Sequence, residues 1–171
     1  MPTPDFILDL RAKVGSMPLW LSGATAVVLR EGADGPEVLC VQRADNGSWT
    51  AICGVVDPGE DPHVTCVREA AEEAGVEIEV ERLVLMAVTG TVTYPNADQT
   101  NYLDHTFRAR WVSGEAHVAD DESATVGWFA AHQLPEPMSD QMRTRIAVAL
   151  HNPADVVLGA ESAQRLTSSR A

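Results

Sequence analysis

The segment GVVDPGEDPHVTCVREAAEEAGV, residues 54–76, constrains the fold of this chain more than any other, because it encodes one short amphipathic helix. Asp61 suits the N-cap, Pro62 the first turn and Gly75 the C-terminal stop. At about 100° per residue, three glutamates share an arc of about 100°, and four apolar residues lie opposite. The glutamates are Glu69, Glu72 and Glu73, and the apolar residues are Val64, Val67, Ala71 and Ala74. The pattern predicts that the apolar face packs on a sheet.

The three glutamates need a partner, because like charges one turn apart on a helix repel by about 0.2–0.5 kcal/mol per pair. A solvated acidic face is the usual explanation of such a cluster. Two neighbours argue against it: Arg68 lies beside the glutamates, and the Pro-Gly-Glu bend at residues 58–60 leads into the helix. Carboxylate oxygens that converge from one face suit hard cations such as Mg²⁺ or Mn²⁺. The cluster predicts a divalent-metal site, with a structural acidic face as the alternative.

The rest of the chain predicts strands on both sides of this helix. A first helix is expected at residues 4–14, ending at Gly15, and Ser139 suits the N-cap of a late helix at 140–151. Strands are predicted within residues 25–30, 38–43, 51–56, 76–93, 102–112 and 126–129. This order indicates an α/β fold with a mixed β-sheet between helices.

Net charge excludes one class of function. The formal charge is −13, whereas binding along nucleic acid needs a basic surface. No apolar run reaches the roughly 18 residues that a membrane span needs, and the first residues lack the pattern of a secretion signal. We therefore expect a cytoplasmic protein with no nucleic-acid and no membrane partner. An anionic substrate would need a cation as intermediary on so acidic a chain.

The three cysteines, Cys40, Cys53 and Cys66, are an odd number and contain no C-x-x-C pair. This pattern argues against a disulfide framework and against a zinc site. Buried free thiols are expected instead.

The helical segment also matches the full Nudix signature, G-x5-E-x7-R-E-U-x-E-E-x-G-U, where U is apolar. The match runs from Gly54 to Val76, and every fixed residue type and both apolar positions agree. The segments VLCVQRADNGSWT and VGWF are similar to the usual surroundings of this signature. The chain therefore resembles the Nudix hydrolases. The resemblance implies a Nudix-type α/β/α sandwich that cleaves a nucleoside diphosphate linked to another group, with Mg²⁺ or Mn²⁺ as cofactor.

The resemblance also implies roles for individual residues. Glu69, Glu72 and Glu73 would hold the metal, and Arg68 would orient them through charge-assisted hydrogen bonds. Glu60 would support the loop. Glu72 is the first candidate for the general base. Its rival is Glu122, in the loop before a tryptophan-containing strand, with Asp120 and Asp121 as alternatives; a solvated acidic loop is the competing interpretation of all three.

The chain departs from the family at one point. The family commonly has Pro-Gly-Gly ending at the first glycine of the signature, where this chain has Ile52-Cys53-Gly54. The residue before that glycine often lends its backbone carbonyl to a metal, and Cys53 retains a carbonyl. Cys53 is therefore a predicted metal contact through that atom, and a thiolate contact is the less favoured option.

Two further residues are candidates for binding the substrate, Arg43 and Tyr94. Arg43 ends a predicted strand near the expected phosphates, although a surface arginine is the simpler interpretation. Among the Nudix proteins that this chain resembles, a tyrosine some 15–18 residues after the signature suggests dinucleoside polyphosphates and a proline suggests ADP-ribose. Tyr94 lies 18 residues after Val76 and Pro95 lies 19, and a plain turn is equally compatible. ADP-ribose, dinucleoside polyphosphates and NDP-sugars are the expected substrate class. Oxidised nucleoside triphosphates, or a ligand sensed without cleavage, are the alternatives.

The tryptophans and His105 are more readily interpreted as core residues than as functional ones. Trp49, Trp111 and Trp128 could stack on a base, but core packing is the favoured interpretation. Alternation along residues 102–112 places His105 on the apolar face of its strand, which favours a hydrogen-bonded core histidine over a catalytic one.

The predicted organisation has three parts: a helical extension at 1–19, a catalytic domain at 20–152, and a tail at 153–171 that contains small and polar residues and is expected to be partly disordered. Homodimers occur among relatives of this type, and the sequence leaves the oligomeric state open.

Overall fold

A computed structural model describes residues 3–94 and 96–168. Within these residues the chain forms four helices and nine strands. The helices are α1 (Asp5–Val14), α2 (Pro62–Ala74), α3 (Asp140–His151) and α4 (Ala160–Ser168). The strands are β1 (Leu19–Gly32), β2 (Gly35–Arg43), β3 (Trp49–Thr50), β4 (Ile52–Val55), β5 (Glu77–Val88), β6 (Val92–Thr93), β7 (Gln99–Ser113), β8 (Ser123–Ala130) and β9 (Val157–Leu158).

The strands form one mixed sheet around β1. This strand pairs in antiparallel fashion with β2 and β4 and in parallel with β7. β1 and β2 form a hairpin, and β8 adds to the far side of β2. On the other side β7 pairs with β5, which carries β9 at the edge. Because β4 pairs with the first half of β1, the segment that precedes α2 is fixed beside the centre of the sheet.

Helices cover both faces of the sheet, so the predicted α/β/α sandwich is confirmed. One face is covered by α2, whose Cys66, Ala70 and Ala74 pack with inward-facing residues of β1, β2, β5 and β7. The other face is covered by α3 and α4, where Met142 and Ile146 pack with Val27 and Val84. Burial of these two apolar layers supplies the main driving force for folding.

The buried side of α2 differs from the prediction. Val64 and Val67, expected on the sheet, are 45% and 43% exposed, and Ala71 is exposed. The sheet-facing residues are instead small ones, with Glu69 among them. They are Thr65, Cys66, Glu69, Ala70 and Ala74. Relative to the prediction, α2 is therefore rotated about its axis, so that Glu69 faces the sheet. The small side chains beside Glu69 let the helix lie close to the sheet.

The last described residues also differ from the expected tail. After Pro153 the chain forms β9 beside β5 and then α4, whose Ala163 is fully buried. The contacts that hold this segment are long-range: Arg82 Nη2 donates to Ala154 O at 2.6 Å, and Gly159 N donates to Met86 O at 2.9 Å. The sequence pattern missed them because they join residues far apart in the chain. Residues 169–171 lie outside the described part.

The predicted N-cap of α3 and the predicted C-terminal end of α2 are confirmed. Ser139 caps α3, its hydroxyl accepting from Met142 N at 3.2 Å, and Gly75 ends α2 in the left-handed conformation. A Cβ on Gly75 would lie 2.1 Å from the His117 ring, so glycine is required there. All three cysteines are free, as predicted. In the described part of the chain, no helix is long and apolar enough to cross a membrane.

Candidate active site

A cavity of about 680 Å³ lies where α2, β4 and the loops around them meet. Its walls come from the first halves of β1, β7 and α3, from β4, and from the inner side of α2. The loops at 43–46, 89–94 and 120–122 complete them. Most residues singled out in the sequence line it. They are Arg43, Cys53, Arg68, Glu69, Glu73, Tyr94, Asp120 and Glu122.

Glu69 is the most precisely positioned carboxylate of the cavity. Its side chain is buried, and its carboxylate rests against the backbone of Gly54. A Cβ at position 54 would lie 2.0 Å from Glu69 Oε1, so only glycine leaves room for this carboxylate. Burial raises the pKa of Glu69 to about 7, against the opposing effect of the neighbouring Arg68. The first glycine of the signature is thus part of the carboxylate's binding surface.

Glu73 lies one turn further along α2 and is half-buried. Its Oε2 atom is buried and has no hydrogen-bond partner among the described residues. Burial, followed by the charges of Glu69 and Asp120, raises the pKa of Glu73 well above its ordinary value, while a hydrogen bond from the Cys53 backbone opposes the rise. The side chain therefore faces the cavity with an unsatisfied acceptor, which costs free energy unless a positive group binds there.

Arg68 connects the carboxylates of α2 to the preceding loop. Its guanidinium donates to both oxygens of Glu60, at 3.1 and 3.0 Å, and to Glu69 Oε1 at 2.8 Å. It also donates to Glu72 Oε2 at 3.1 Å and to Val55 O at 3.3 Å. The orienting function expected for Arg68, and the loop-supporting function expected for Glu60, match these contacts.

The two candidates for the general base lie in different surroundings. Glu72 is 43% exposed at its side chain and is not among the residues that line the cavity. Glu122 lines it, at the end of the loop that precedes β8, and Asp120 lines it as well. Asp120 Oδ1 accepts from the backbone of Glu122 and Ser123, which fixes the loop. Asp121, the other alternative, is not part of the lining.

Cys53 lines the cavity from β4, in extended backbone paired with Thr25. The absence of the family's glycine at this position is therefore tolerated, because a strand conformation suits any residue. Burial raises the pKa of the Cys53 thiol to about 12 in the metal-free protein. A thiolate contact stays the less favoured option, because Mg²⁺ and Mn²⁺ prefer oxygen ligands. A contact through its carbonyl stays a prediction.

The two predicted substrate residues both line the cavity. Arg43 is held by Asp45 in a bidentate pair, with Nε–Oδ1 at 2.9 Å and Nη2–Oδ2 at 2.7 Å. The Tyr94 hydroxyl lies 2.6 Å from the Tyr102 hydroxyl across the loop. Tyr94 also begins a tight turn, because Ala97 N donates to its carbonyl at 2.9 Å. Pro95, the other residue considered, lies outside the described residues.

Core packing is confirmed for the tryptophans. Trp49 packs edge-on against Phe129 in the α3 layer, and Trp111 against Trp128 in the α2 layer. His105 is half-buried, with Nδ1 3.1 Å from Gly23 O, as expected of a core histidine.

A buried ion pair in the cavity was not predicted from the sequence. Asp104 of β7 lies 3.2 Å from Arg145 Nε of α3, and both residues line the cavity. A signal was present: Arg145 lies three residues after Met142 and four before Ala149, so it interrupts the apolar side of α3. Tyr102 also lines the cavity and was not singled out.

The acidic part of the cavity fits a divalent cation in its donor chemistry. Glu69 and Glu73 carry hard oxygen donors, and Glu73 Oε2 has no partner in the part of the chain that the structure describes. In the ranges 3–94 and 96–168, however, no three His, Cys, Asp or Glu side chains are arranged as a metal site. The reason lies in Arg68, which draws Glu69 and Glu72 to its own guanidinium. A cation would take its other ligands from water and phosphate oxygens, as Mg²⁺ commonly does.

Comparisons with known proteins agree with this geometry. The profile of the NUDIX domain family matches residues 21–149. A "MutT-like protein" of Streptomyces ambofaciens is 33% identical over 135 residues, covering 79% of this chain and 80% of that protein. A "Putative 8-oxo-dGTP diphosphatase" of Bacillus subtilis is 30% identical over 117 residues, covering 68% of this chain and 71% of that protein.

A solved structure shows the same fold. The crystal structure of an ADP-ribose pyrophosphatase from Streptococcus suis has a TM-score of 0.61 and covers 81% of this chain and 97% of that chain. Its sequence identity is 22%, so this likeness concerns the fold alone. The fold, the complete signature and the family match agree: this chain belongs to the Nudix hydrolase family, the pyrophosphohydrolases that act on nucleoside diphosphate derivatives.

Proposed function

We propose that this chain hydrolyses a phosphoanhydride bond in a nucleoside diphosphate linked to another group, with Mg²⁺ or Mn²⁺ as cofactor. The observation that carries the proposal is Glu73, a carboxylate in the wall of the cavity whose Oε2 atom is buried without a partner among the described residues. Glu69 lies one turn away on the same side of α2. A cation at this pair would relieve both the repulsion and the unsatisfied acceptor.

Residues of the chain have separate tasks in this reaction. Glu69 and Glu73 hold the cofactor, together with Glu72 and the Cys53 carbonyl if these approach it on binding. When bound, the cation neutralises the diphosphate and lowers the pKa of the attacking water. Arg68 keeps the Glu69 carboxylate in position, since it donates to that group at 2.8 Å. Arg43 lines the cavity and is suited to donate to a phosphate oxygen.

A carboxylate that reaches the cavity must accept the proton of the attacking water. Of the two candidates, Glu122 is favoured because it lines the cavity, whereas Glu72 points to the exposed side of α2. Asp120 remains the neighbour that could replace Glu122. A loss of activity in Glu122→Gln with unchanged metal affinity would support this assignment; the same result in Glu72→Gln alone would reverse it.

The substrate class that we propose is a nucleoside diphosphate derivative of the ADP-ribose, dinucleoside polyphosphate or NDP-sugar type, whose base is not fixed by the phosphate-binding residues. Tyr94 supports it, because its ring lies at the cavity where a nucleoside could stack. A second candidate is the sanitising hydrolysis of oxidised nucleoside triphosphates, which is favoured by the named activity of the Bacillus subtilis relative. A ligand sensor without turnover is the third, and the retained carboxylates of α2 argue against it. A cytoplasmic location and a homodimer stay predictions.

One assay separates these functions. The protein is incubated with Mg²⁺ or Mn²⁺ and a panel of ADP-ribose, dinucleoside polyphosphates, NDP-sugars and oxidised dNTPs, and the products are resolved by chromatography. We expect turnover that requires the metal and falls at least about a hundredfold in Glu73→Gln. Glu79→Gln, on the exposed side of β5, is the matched control and should retain activity. Binding without turnover would indicate a sensor, and neither binding nor turnover would overturn the proposal.

A further inference from the structure

The inner wall of the cavity carries a charged pair that the proposed reaction does not use. Asp104 of β7 and Arg145 of α3 are 5% and 9% exposed. The Asp104 carboxylate is fully engaged: Oδ1 accepts from Thr25 Oγ1 at 2.8 Å, Oδ2 accepts from Thr106 Oγ1 at 2.7 Å, and Oδ2 lies 3.2 Å from Arg145 Nε. Three elements, β1, β7 and α3, thus fix the position of one guanidinium.

Stability alone is a poor reason to place this pair here. Taking two charges out of water costs free energy that their attraction often fails to offset, and apolar side chains of similar volume commonly do as well. The pair also lies at a cavity wall, where part of the guanidinium faces open space. Among the residues that the structure describes, no hydrogen bond is formed by either terminal nitrogen of Arg145. These nitrogens keep donors for a ligand, because a guanidinium carries five N–H groups in a fixed fork.

The charge of the pair indicates what kind of group it would bind. Asp104 neutralises Arg145, so the pair offers directed donors without net positive charge. The diphosphate carries negative charge and belongs with the cation at Glu69 and Glu73. A neutral acceptor, such as the ring carbonyl of a nucleobase, is therefore the better match for Arg145. Arginine donors pair with the carbonyl and ring nitrogen of guanine, whereas adenine presents an amino donor at the same edge.

A glycine and an aromatic ring lie beside the pair in the cavity wall. Gly23 lines the cavity between Tyr102 and Asp104. A Cβ at this position would lie 3.5 Å from the Tyr102 ring and 3.7 Å from Asp104 Oδ1, which is ordinary contact distance. The missing side chain thus leaves a methyl-sized gap between the aromatic ring and the ion pair, so that a ligand in the cavity can approach both. Aromatic rings that border such spaces are suited to stack on bases.

We propose that Arg145, held by Asp104, is a specificity-determining residue that donates to a ring carbonyl of the substrate's base, so that the site favours keto bases such as guanine over adenine. This inference rests on the proposed function for the phosphate end of the site. It assigns the base end of the cavity to Gly23, Tyr102 and Arg145. The proposal concerns binding and can be tested without turnover.

The test compares two ligands that differ only in the base. Calorimetry in the presence of Mg²⁺ measures the affinity of the α,β-methylene analogues of GDP and ADP, in which the bridging oxygen is replaced and cleavage is blocked. The wild-type protein should bind the guanosine analogue at least about tenfold more tightly, the effect of one good base contact. Arg145→Gln should abolish this preference by weakening the guanosine analogue alone. Equal weakening of both analogues would mean that Arg145 binds phosphate, and would overturn the proposal.

Two further variants keep the test decisive. Arg145→Gln leaves Asp104 buried without its partner and can fail to fold, so Asp104→Asn/Arg145→Gln removes both charges together and should show the same loss of preference. Gly23→Ala adds a methyl group within contact distance and should weaken both analogues while the fold, followed by circular dichroism, is kept. Arg143→Gln, two residues away and paired with Glu136 outside the cavity, is the control and should keep the wild-type preference.

The outcomes distinguish this inference from the function on which it rests. Preferential binding of the guanosine analogue without hydrolysis of any panel nucleotide would refute the enzymatic proposal and support the role of Arg145 in base selection. Hydrolysis with equal affinity for the two analogues, or with preference for adenosine, would sink the role of Arg145 alone. Failure of the wild-type protein to bind either analogue would overturn both.

Discussion

The carboxylate of Glu69 occupies the space that a side chain at Gly54 would fill. A Cβ built at position 54 lies 2.0 Å from Glu69 Oε1 and 2.3 Å from Glu69 Cδ. Because β4 is paired with β1 and α2 packs beside it, neither element can move away cheaply. The Glu69 carboxylate can therefore take this position only because residue 54 is a glycine.

Gly54→Ala should abolish activity while the protein stays folded. The added methyl group must displace the Glu69 carboxylate, the flexible end of its side chain, so the metal-binding geometry changes more than the core does. We expect kcat/KM to fall at least about a hundredfold, with a loss of about 1–2 kcal/mol in the free energy of unfolding. Gly90→Ala is the matched control, since nothing lies within 4 Å of a Cβ there. Activity within threefold of wild type in Gly54→Ala would contradict this account.

Arg68→Gln should destabilise the protein even before catalysis is considered. Glu60 and Glu69, which are 15% and 6% exposed at their side chains, would lose their cationic donor. We expect the free energy of unfolding, measured with urea, to fall by about 2 kcal/mol. Arg110→Gln, which breaks an ion pair with the exposed Glu79, should cost less than about 1 kcal/mol. Equal losses in the two variants would show that Arg68 is an ordinary surface arginine.

Glu60 should give the fold a measurable pH dependence. Its hydrogen bonds from Arg68, more than any other contact, hold the pKa of Glu60 at about 2, below the ordinary 4.5. Since the folded-state pKa is the lower one, the stabilisation is complete above pH 4.5 and is lost as the pH falls toward 2. The difference in unfolding free energy between wild type and Glu60→Gln should therefore shrink over this range. Urea titrations at several pH values test it, and a difference that stays constant over this range would contradict it.

The parts of the structure that the sequence predicted well are those with local causes. The bounds of α2 follow from Asp61, Pro62 and Gly75, and the start of α3 follows from the Ser139 cap. Such signals act over four or five residues and need no knowledge of the fold. The signature placed Glu69, Glu73 and Arg68 in the site for the same reason, since a helix fixes their mutual positions.

The parts that the sequence did not predict depend on contacts between distant segments. A helical wheel places glutamates outward and valines inward, whereas Val67 is exposed and Glu69 is buried. That rotation becomes evident only when Gly54 and Arg68 are in place around Glu69. The Asp104–Arg145 pair likewise joins a strand and a helix that are separated in sequence by the loop at 114–122 and by β8. No local pattern encodes such a partner.

Glu73→Gln should separate stability from function. In EDTA the wild-type protein buries a carboxyl oxygen, Glu73 Oε2, that has no donor within the described part of the chain, whereas a glutamine side chain carries no charge and has a similar volume. We expect the variant to be as stable as wild type or about 1 kcal/mol more stable in EDTA. With Mg²⁺ and the α,β-methylene analogue of GDP, the wild-type Tm should rise and the variant's should not. Scanning fluorimetry measures both shifts, and Glu79→Gln, exposed on β5, should follow wild type. A variant that is clearly less stable than wild type in EDTA would show that the Glu73 carboxyl group has a structural partner. That result would contradict the main argument for a cation at this position.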